Sequence, residues 1–410
     1  LAIAEYQAAL QKFPDQIDPY YAIGRIYLRT STFNQAEAIF KTVLQKKPND
    51  LTATIYLARA YLGERKVQNA KTLLATVVND NQELYFYKGI IEAYLGNYKT
   101  AKNDLNKANS INGNKNIKAK INNFLNAFDK YNFNAEAPTV YLKVLLARSY
   151  DQTGEYQMAI GLLFKVTKDK SDYRDAWIIL GHAYLEINKP NDALEALQRA
   201  RALDPDKSDT YFFLALSEYS LNQYQNAIND LLKAKKLGYQ PEIQIEQKLA
   251  EIYLLQHNYT KSAASYKQVL ASVNVNANYY IRPIYIYIDK LNQPKQAMEL
   301  AQNAVSRFPN SAMSHNLLGW SLIYNQQLNK AEQELKTALT LDPNLDAIYL
   351  NYGLLFENRN QYDQALIFYK KANQLGSGDS VAKTATNRYN TLITKLDSSK
   401  KTMQANLLQQ

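Results

Sequence analysis

Histidine, a frequent general base and metal ligand, is rare in this sequence, and cysteine is absent. The sequence contains three histidines, His182, His257 and His315. The histidines lack the HxxxH or HExxH spacing that would place two imidazoles on one helical face around a zinc ion. The lack of cysteine removes disulfides, thiolate ligands and thiol nucleophiles together. We therefore predict no metal site and no cofactor.

Motifs for phosphate binding and for nucleophilic catalysis do not occur in the sequence either. GxGxxG, GxxxxGK[ST] and GxSxG are all absent. Acidic pairs such as Asp204 and Asp206 follow predicted helix ends, where capping and solubility explain them. Because no acid is paired with a candidate base, we predict that the chain is not an enzyme.

The stretch from Asp175 to Pro205 shows which elements carry these side chains. Positions i, i+3, i+4 and i+7 of a first helix are Trp177, Leu180, Gly181 and Tyr184. A second helix has Ala193, Leu197 and Ala200 on one face and ends at proline, which cannot continue a helix. The small residues allow the two helices to approach closely while the large ones fill the interface. The stretch is predicted to be a helical hairpin with one apolar side.

The same hairpin recurs along most of the chain. The small residue near the start of each second helix is separated from the next by 34 or 35 positions, apart from one step of 31 and one of 58. The series is Ala2, Ala36, Ala70, Ala101, Ala159, Ala193, Ala227, Ser262, Ala297, Ala331 and Ala365. A fixed period of this length is the signature of a repeat architecture.

These positions resemble the tetratricopeptide repeat pattern, W-x2-L-G-x2-Y followed by A-x3-F and P. One copy is formed by Trp177, Leu180, Gly181, Tyr184, Ala193, Leu197 and Pro205. A second is formed by Tyr20, Ile23, Gly24, Tyr27, Ala36, Phe40 and Pro48, and a looser third by His315, Leu318, Gly319, Leu322, Ala331, Leu335 and Pro343. The resemblance implies an all-α fold, a right-handed α-solenoid, or superhelix, of tandem helical hairpins with a C-terminal capping helix.

The period predicts ten whole repeats, which begin near Ile17, Leu51, Gln82, Val140, Arg174, Ser208, Ile243, Asn278, Ala312 and Asp346. Residues 1–14 are predicted to be the second helix of a repeat whose first helix lies upstream. Residues 15–112 form a first array of three repeats and residues 140–379 a second array of seven. Residues 380–397 are predicted to be the capping helix, and residues 398–410 a polar tail.

Two stretches depart from the period. Residues 113–139 are predicted to be an irregular insertion with one extra helix, carrying Ile117, Ile121, Phe124, Leu125 and Phe128 and ending before Pro138. The insertion is either a joint between two arrays or a degenerate repeat in a continuous solenoid. The stretch from Tyr279 to Ile288 looks locally like a strand, but its place in the period predicts a helix.

In the tetratricopeptide repeat family, the first helix of each pair lines a concave groove, with its fifth and ninth positions commonly facing the ligand. Carried onto this chain, the resemblance implies a peptide-binding groove lined by Tyr21, Arg25, Arg59, Phe86, Arg148, His182, Tyr279, Ile286, Met313, Trp320, Tyr324 and Leu354. The arginines could bind carboxylates of a partner, or they could pair with acids of adjacent repeats or be solvated. The apolar residues towards the C-terminus could hold a peptide, or pack between repeats.

The function that the resemblance implies is a non-catalytic scaffold that binds a partner protein or peptide segment. One alternative is the repeat region of a larger enzyme or envelope assembly machine. Another is an RNA-binding helical repeat, against which the Trp/Tyr, Leu, Gly, Tyr and Pro positions and the 34-residue step argue.

Charge and composition bear on the setting of the protein. The formal net charge is +10, a modest bias for 410 residues, and no apolar run reaches the roughly 18 residues of a membrane helix. Richness in Asn, Lys, Tyr and Gln, without cysteine, favours a bacterial protein of the periplasm or envelope over the cytoplasm. The partner and the oligomeric state are not indicated.

Overall fold

The computed structural model describes residues 2–131 and 139–407, with side chains up to residue 397. Within these ranges every regular element is a helix, and no strand occurs. Contacts between residues divide the chain into two compact units, Leu1–Tyr239 and Gln240–Gln410. The all-α fold predicted from the repeats is therefore confirmed.

Unit 1 holds fourteen of the described helices. They are α1 (Ala2–Lys12), α2 (Asp18–Arg29), α3 (Phe33–Lys46), α4 (Leu51–Gly63), α5 (Val67–Ala75), α6 (Gln82–Leu95), α7 (Tyr98–Ser110), α8 (Lys115–Tyr131), α9 (Thr139–Gln152), α10 (Tyr156–Asp169), α11 (Arg174–Glu186), α12 (Pro190–Leu203), α13 (Ser208–Ser220) and α14 (Tyr224–Lys236).

Unit 2 holds the remaining nine described α-helices. They are α15 (Glu242–Leu255), α16 (Tyr259–Leu270), α17 (Ile281–Tyr285), α18 (Pro294–Arg307), α19 (Ala312–Tyr324), α20 (Leu328–Leu341), α21 (Asp346–Asn358), α22 (Tyr362–Gly376) and α23 (Ser380–Leu407). A 3-10 turn, Ala277–Tyr280, precedes α17, and a π-helical turn, Ile286–Lys290, follows it. The stretch that looks like a strand is therefore helical, as its place in the period predicts.

In five of the hairpins a glycine of the first helix faces a large side chain of the second helix. A methyl group added at Gly319 would lie 2.8 Å from Cγ of Leu335, which is completely buried. Additions at Gly24 and Gly181 would overlap Phe40 and Leu197 in the same way. The small residues of the repeat pattern are therefore required by the close approach of paired helices.

The inserted helix alters the path of unit 1. Helix α8 packs against both α7 and α9, and α10 reaches back to contact α4. Arg65 Nε donates a hydrogen bond to Gln157 Oε1 at 3.1 Å, although 92 positions separate them. One continuous apolar cluster runs from α4 to α12 through the insertion. The predicted extra helix is thus present. Pro138, before which it was predicted to end, lies outside the described residues. The division of the chain into two arrays stays a prediction.

The C-terminal helix covers the last repeat, as predicted. Asp379 Oδ1 accepts a hydrogen bond from the backbone N–H of Ala382 at 2.8 Å and so caps α23. Helix α23 packs against α21 and α22 and buries Ala385 and Leu392. It continues to Leu407, ten residues beyond the predicted end at residue 397. Residues 408–410 lie outside the described part of the chain.

Candidate functional site

In unit 1, the predicted groove residue Phe86 lies in the core. Its side chain is completely buried, and its ring packs against Tyr87 at 5.1 Å and against Phe124 of α8 at 6.0 Å between centroids. The inserted helix covers the face of α6 that an unbroken array would leave open. Phe86 is therefore not part of an open groove, which corrects the prediction at this position.

The three arginines predicted for the groove have different surroundings. Arg25 is exposed and forms no ion pair with any described residue. Arg148 is also exposed, and one guanidinium nitrogen lies 3.4 Å from Asp175 Oδ2. Arg59 is half-buried, with its guanidinium carbon 5.5 Å and 5.9 Å from the ring centroids of Tyr56 and Tyr87. Pairing with an acid of the next repeat, the simpler interpretation, therefore applies to Arg148.

Tyr21, another predicted groove residue of unit 1, is half-buried and hydrogen-bonded. Its hydroxyl donates to Asp50, and burial together with that carboxylate raises the pKa of the phenol. The same Asp50 oxygen accepts from the backbone N–H of Ala53 at 3.0 Å and caps α4. Tyr21 therefore supports the start of the next repeat.

His182 is half-buried between an acid of α9 and an acid of its own helix, α11. Its Nδ1 lies 2.9 Å from Asp151 Oδ1, and its Nε2 lies 3.7 Å from Glu186 Oε1. Burial lowers the pKa of His182, but the hydrogen bond and charge of Asp151 outweigh burial and raise it above its ordinary value. These contacts within the chain explain the position of the imidazole, so no bound ligand is needed to explain it.

Unit 2 contains an open cleft of about 510 Å³. First helices of three successive repeats and the start of α23 line it, through Asn278, Ile281, Arg282, Tyr285, Trp320, Leu350, Ser380, Val381 and Thr384. Arg282 is the only charged residue among these. The cleft is thus an apolar concave surface with one cation.

Trp320 is the predicted groove residue that the structure places in this cleft. Its side chain is half-buried, and its ring packs edge-on against Tyr324 of the same helix, 6.4 Å away between centroids. Tyr324 is half-buried and accepts a long hydrogen bond of 3.5 Å from Arg388 of α23. An indole held at the wall of a cleft offers a flat apolar surface to a partner side chain.

The other predicted groove residues of unit 2 do not line the cleft. Ile286 is completely buried against Ala250, Ala263 and Tyr266, and Leu354 is 6% exposed. Tyr279 and Met313 are half-buried and pack on the core of the unit. Ile286 and Leu354 are core residues because neighbouring helices cover them, which corrects the prediction for both.

Three cleft residues, Ser380, Val381 and Thr384, were not predicted from the sequence because they belong to α23. Val381 and Thr384 lie in the first turns of this helix, which the sequence identifies only as a cap. A capping helix takes the place of the next first helix, so its early residues complete the concave wall. The apolar position directly after the capping sequence is the signal that could have identified Val381.

The fold and the cleft define a helical repeat protein of the kind that binds other proteins. Models of the tetratricopeptide repeat match residues 31–87, 179–240 and 316–380. With the repeat pattern and the ten helix pairs, these matches show that the chain belongs to the tetratricopeptide repeat family. Such repeats generally form protein–protein interaction scaffolds and typically carry no catalysis.

Two curated proteins are similar to part of the chain. A protein O-mannosyl-transferase of Caenorhabditis elegans is 27% identical over 24% of this chain and 14% of its own length. Superkiller protein 3 of Schizosaccharomyces pombe is 28% identical over 34% of this chain and 10% of its own length. The matches therefore span a seventh or less of these relatives.

Among solved structures, the Cut9 and Hcn1 hetero-tetramer of APC/C aligns with 95% of this chain and 92% of the other, with 12% identity and a TM-score of 0.39. Yeast Tom70 aligns with 100% of this chain and 95% of its own, with 15% identity and a TM-score of 0.37. None of the described helices has both the length and the apolar character that a bilayer crossing requires. The comparisons give no support for a periplasmic location.

Proposed function

We propose that the protein is a non-catalytic scaffold and that unit 2 holds a peptide segment of a partner protein in its cleft. The observation that supports this most directly is the half-buried Trp320 on the wall of a 510 Å³ cleft. Ligand sites are typically concave, largely apolar and oriented by a few polar groups. This cleft has that composition.

The lining indicates the chemistry of the segment. Ile281, Trp320, Leu350 and Val381 would pack against an apolar side chain, with the indole as the largest surface. Arg282, the only charged residue of the lining, would pair with a carboxylate of the segment. We therefore propose an acidic segment with at least one large apolar residue.

Unit 1 is a less suitable site for an extended peptide. Phe86 and Ile90, on the face of α6 that such a peptide would follow, are completely buried by the chain itself. A partner could reach them only by displacing α8 and α9. The proposal therefore assigns peptide binding to unit 2.

A library of random linear peptides displayed on phage, panned against the whole protein, tests the proposal. The selected peptides are expected to carry Asp or Glu beside a large apolar residue. Their affinity can be measured by fluorescence in Trp177→Phe, because the chain has two tryptophans and Trp320 is then the single reporter.

Two variants and a control locate the binding surface. Trp320→Ala is expected to weaken binding by tenfold or more, since truncating a central interface aromatic often costs at least 2 kcal/mol; an affinity tag on the peptide replaces the lost fluorescence signal. Arg282→Glu should weaken it through charge reversal, whereas Arg25→Glu, the same change at an exposed arginine of unit 1, should not. Peptides that bind Trp320→Ala and wild type equally would refute the assignment to this cleft.

A further inference from the structure

A second, smaller cavity lies in unit 1, where the chain folds back on itself. Its volume is about 280 Å³. Its walls come from the turn between α2 and α3, the end of α4, one residue of α8, the turn between α9 and α10, and the end of α11. Because these segments are distant in sequence, the cavity exists only in the folded unit.

Arg59 contributes an unpaired guanidinium to this cavity. Tyr56 and Tyr87 lie within 6 Å of it as cation–π partners, but no described residue accepts a hydrogen bond from it. A guanidinium has five N–H donors, and those of Arg59 are not among the side-chain atoms that are buried without a partner. These donors are therefore available to an acceptor that enters the cavity.

Lys120 is a second cation in the lining. Its Nζ donates to the backbone carbonyl oxygen of Thr153 at 2.7 Å, which leaves two of its three donors. Burial lowers the pKa of Lys120, an effect that a bound anion would oppose by stabilising the ammonium. Lys120 and Arg59 thus offer donors to the same cavity.

The charge of the lining is positive. Arg29, Arg59 and Lys120 line the cavity, against one carboxylate, Glu155, which accepts a hydrogen bond from the Tyr87 hydroxyl at 3.3 Å. The nearby Glu83 lines a different cavity. Neither carboxylate lies within the 4.0 Å that defines an ion pair with Arg59 or Lys120. The cations are therefore not neutralised by direct contact with these acids.

We propose that this cavity binds a small oxyanion, a phosphate or carboxylate group, through the guanidinium of Arg59 and the ammonium of Lys120. A volume just below the roughly 300–1,000 Å³ of ordinary ligand sites suits a small group. Arginine pairs with carboxylate and phosphate through parallel hydrogen bonds. Leu28, Phe33 and Met158 in the same lining would contact the rest of such a molecule.

The test is the thermal stability of unit 1 in the presence of inorganic phosphate or acetate. Whole protein carrying Trp320→Phe leaves Trp177 as the single tryptophan, which reports on unit 1. The melting temperature is followed against phosphate and, separately, acetate, with sodium chloride keeping the ionic strength constant. A ligand that binds only the folded state raises the melting temperature with its concentration, and the two series distinguish phosphate from carboxylate.

Three variants separate the site from general salt effects, because phosphate also stabilises proteins by exclusion from their surface. Arg59→Gln and Lys120→Gln are each expected to lower the affinity for the anion by about tenfold or more, because each removes a charge-assisted hydrogen bond. Arg25→Gln, the same change one repeat earlier, should respond as wild type does. Lys120→Gln decides the matter if Arg59→Gln does not fold. Equal shifts in wild type and in the folded cavity variants, or no shift with either anion, would overturn the proposal.

Discussion

The hydroxyl of Tyr150 donates a hydrogen bond to the backbone carbonyl oxygen of Ile90, 60 residues earlier in the sequence. Both side chains are completely buried, and the ring of Phe124 packs edge-on against Tyr150 with 4.9 Å between centroids. In unit 1 the face of α6 that carries Phe86 and Ile90 is therefore covered by α8 and α9. Unit 2 retains an open cleft, so the two units are expected to bind different classes of ligand.

Removing the ring of Phe124 should destabilise unit 1 strongly. Phe124→Ala deletes a completely buried ring that contacts Phe86 and Tyr150, and such a change costs about 3–5 kcal/mol. Urea unfolding of Trp320→Phe protein, followed by Trp177 fluorescence, measures the change. Phe164→Ala, at a ring that is 62% exposed, should stay within about 0.5 kcal/mol of wild type. Similar losses in both variants would mean that α8 does not cover α6 as described.

Gly353 and Tyr369 should show strong energetic coupling in unit 2. A methyl group at Gly353 would overlap the ring of Tyr369, which is completely buried and donates a hydrogen bond to Glu357 Oε2 at 2.5 Å. Gly353→Ala should cost about 1–3 kcal/mol by overpacking, more than the gain of at most about 1 kcal/mol in helix propensity. The loss should be smaller in a Tyr369→Leu background, where Leu resembles the residue opposite Gly319. A double-mutant cycle with Trp320 fluorescence measures the coupling, and strictly additive changes would contradict the contact.

The amides of Asn316 and Asn351 form a buried pair whose members should be replaceable only together. Asn351 Nδ2 donates to Asn316 Oδ1 at 2.9 Å, and the residues are 5% and 2% exposed. Asn351→Leu removes the donor and should cost about 1–3 kcal/mol. Replacing both by Leu should cost less than the sum of the single changes, since no buried amide is then left without its partner. Chemical unfolding of the Trp177→Phe protein tests this, and a double variant as unstable as the sum would exclude the pairing.

Unit 1 should become less stable as the pH rises from about 4.5 to about 7. Burial, reinforced by Asp230 of α14 and partly offset by Arg201 of α12, raises the pKa of Glu218 to about 7. Glu218 Oε2 is buried without a hydrogen-bond partner among the described residues. Above the ordinary pKa of 4.5 the unfolded chain releases this proton while the folded chain keeps it. The stability present at lower pH is therefore lost between about pH 4.5 and about pH 7, by at most about 1.4 kcal/mol per pH unit.

Glu218→Gln should reduce this pH dependence, because the amide resembles the protonated acid. Glu195→Gln, at an exposed position of α12, should leave it unchanged. His182 adds a contribution of the same sign, because its pKa is raised in the folded state. The stabilisation is fully present below the ordinary pKa of 6.5 and is lost as the pH rises above that value. Melting temperatures of Trp320→Phe protein between pH 5 and pH 8, read from Trp177, provide the measurement. An unchanged slope in Glu218→Gln would show that this carboxyl is not the source.

Much of the fold could be read from local patterns. The stripe of Trp177, Leu180 and Tyr184 and the small residues at Gly181 and Ala193 specify a hairpin because helix periodicity and close approach are properties of neighbouring residues. The stretch from Tyr279 to Ile288 shows the limit of local propensity, because its residues favour a strand but the repeat context makes it helical. The repeat context also predicts Trp320 as a groove residue, from its place in the first helix of a repeat.

The sequence by itself determined the family, the helix pairs and the general kind of partner, because each depends on side-chain types at short, fixed spacings. Only the tertiary structure decided which first helices keep their groove-facing side chains uncovered by other helices. Phe86 and Ile286 occupy groove positions in the pattern, yet helices from elsewhere in their own units cover them. Arg59 comes to line a cavity, and Val381 a cleft, for the same reason: their environments depend on where distant helices pack, which no local spacing encodes.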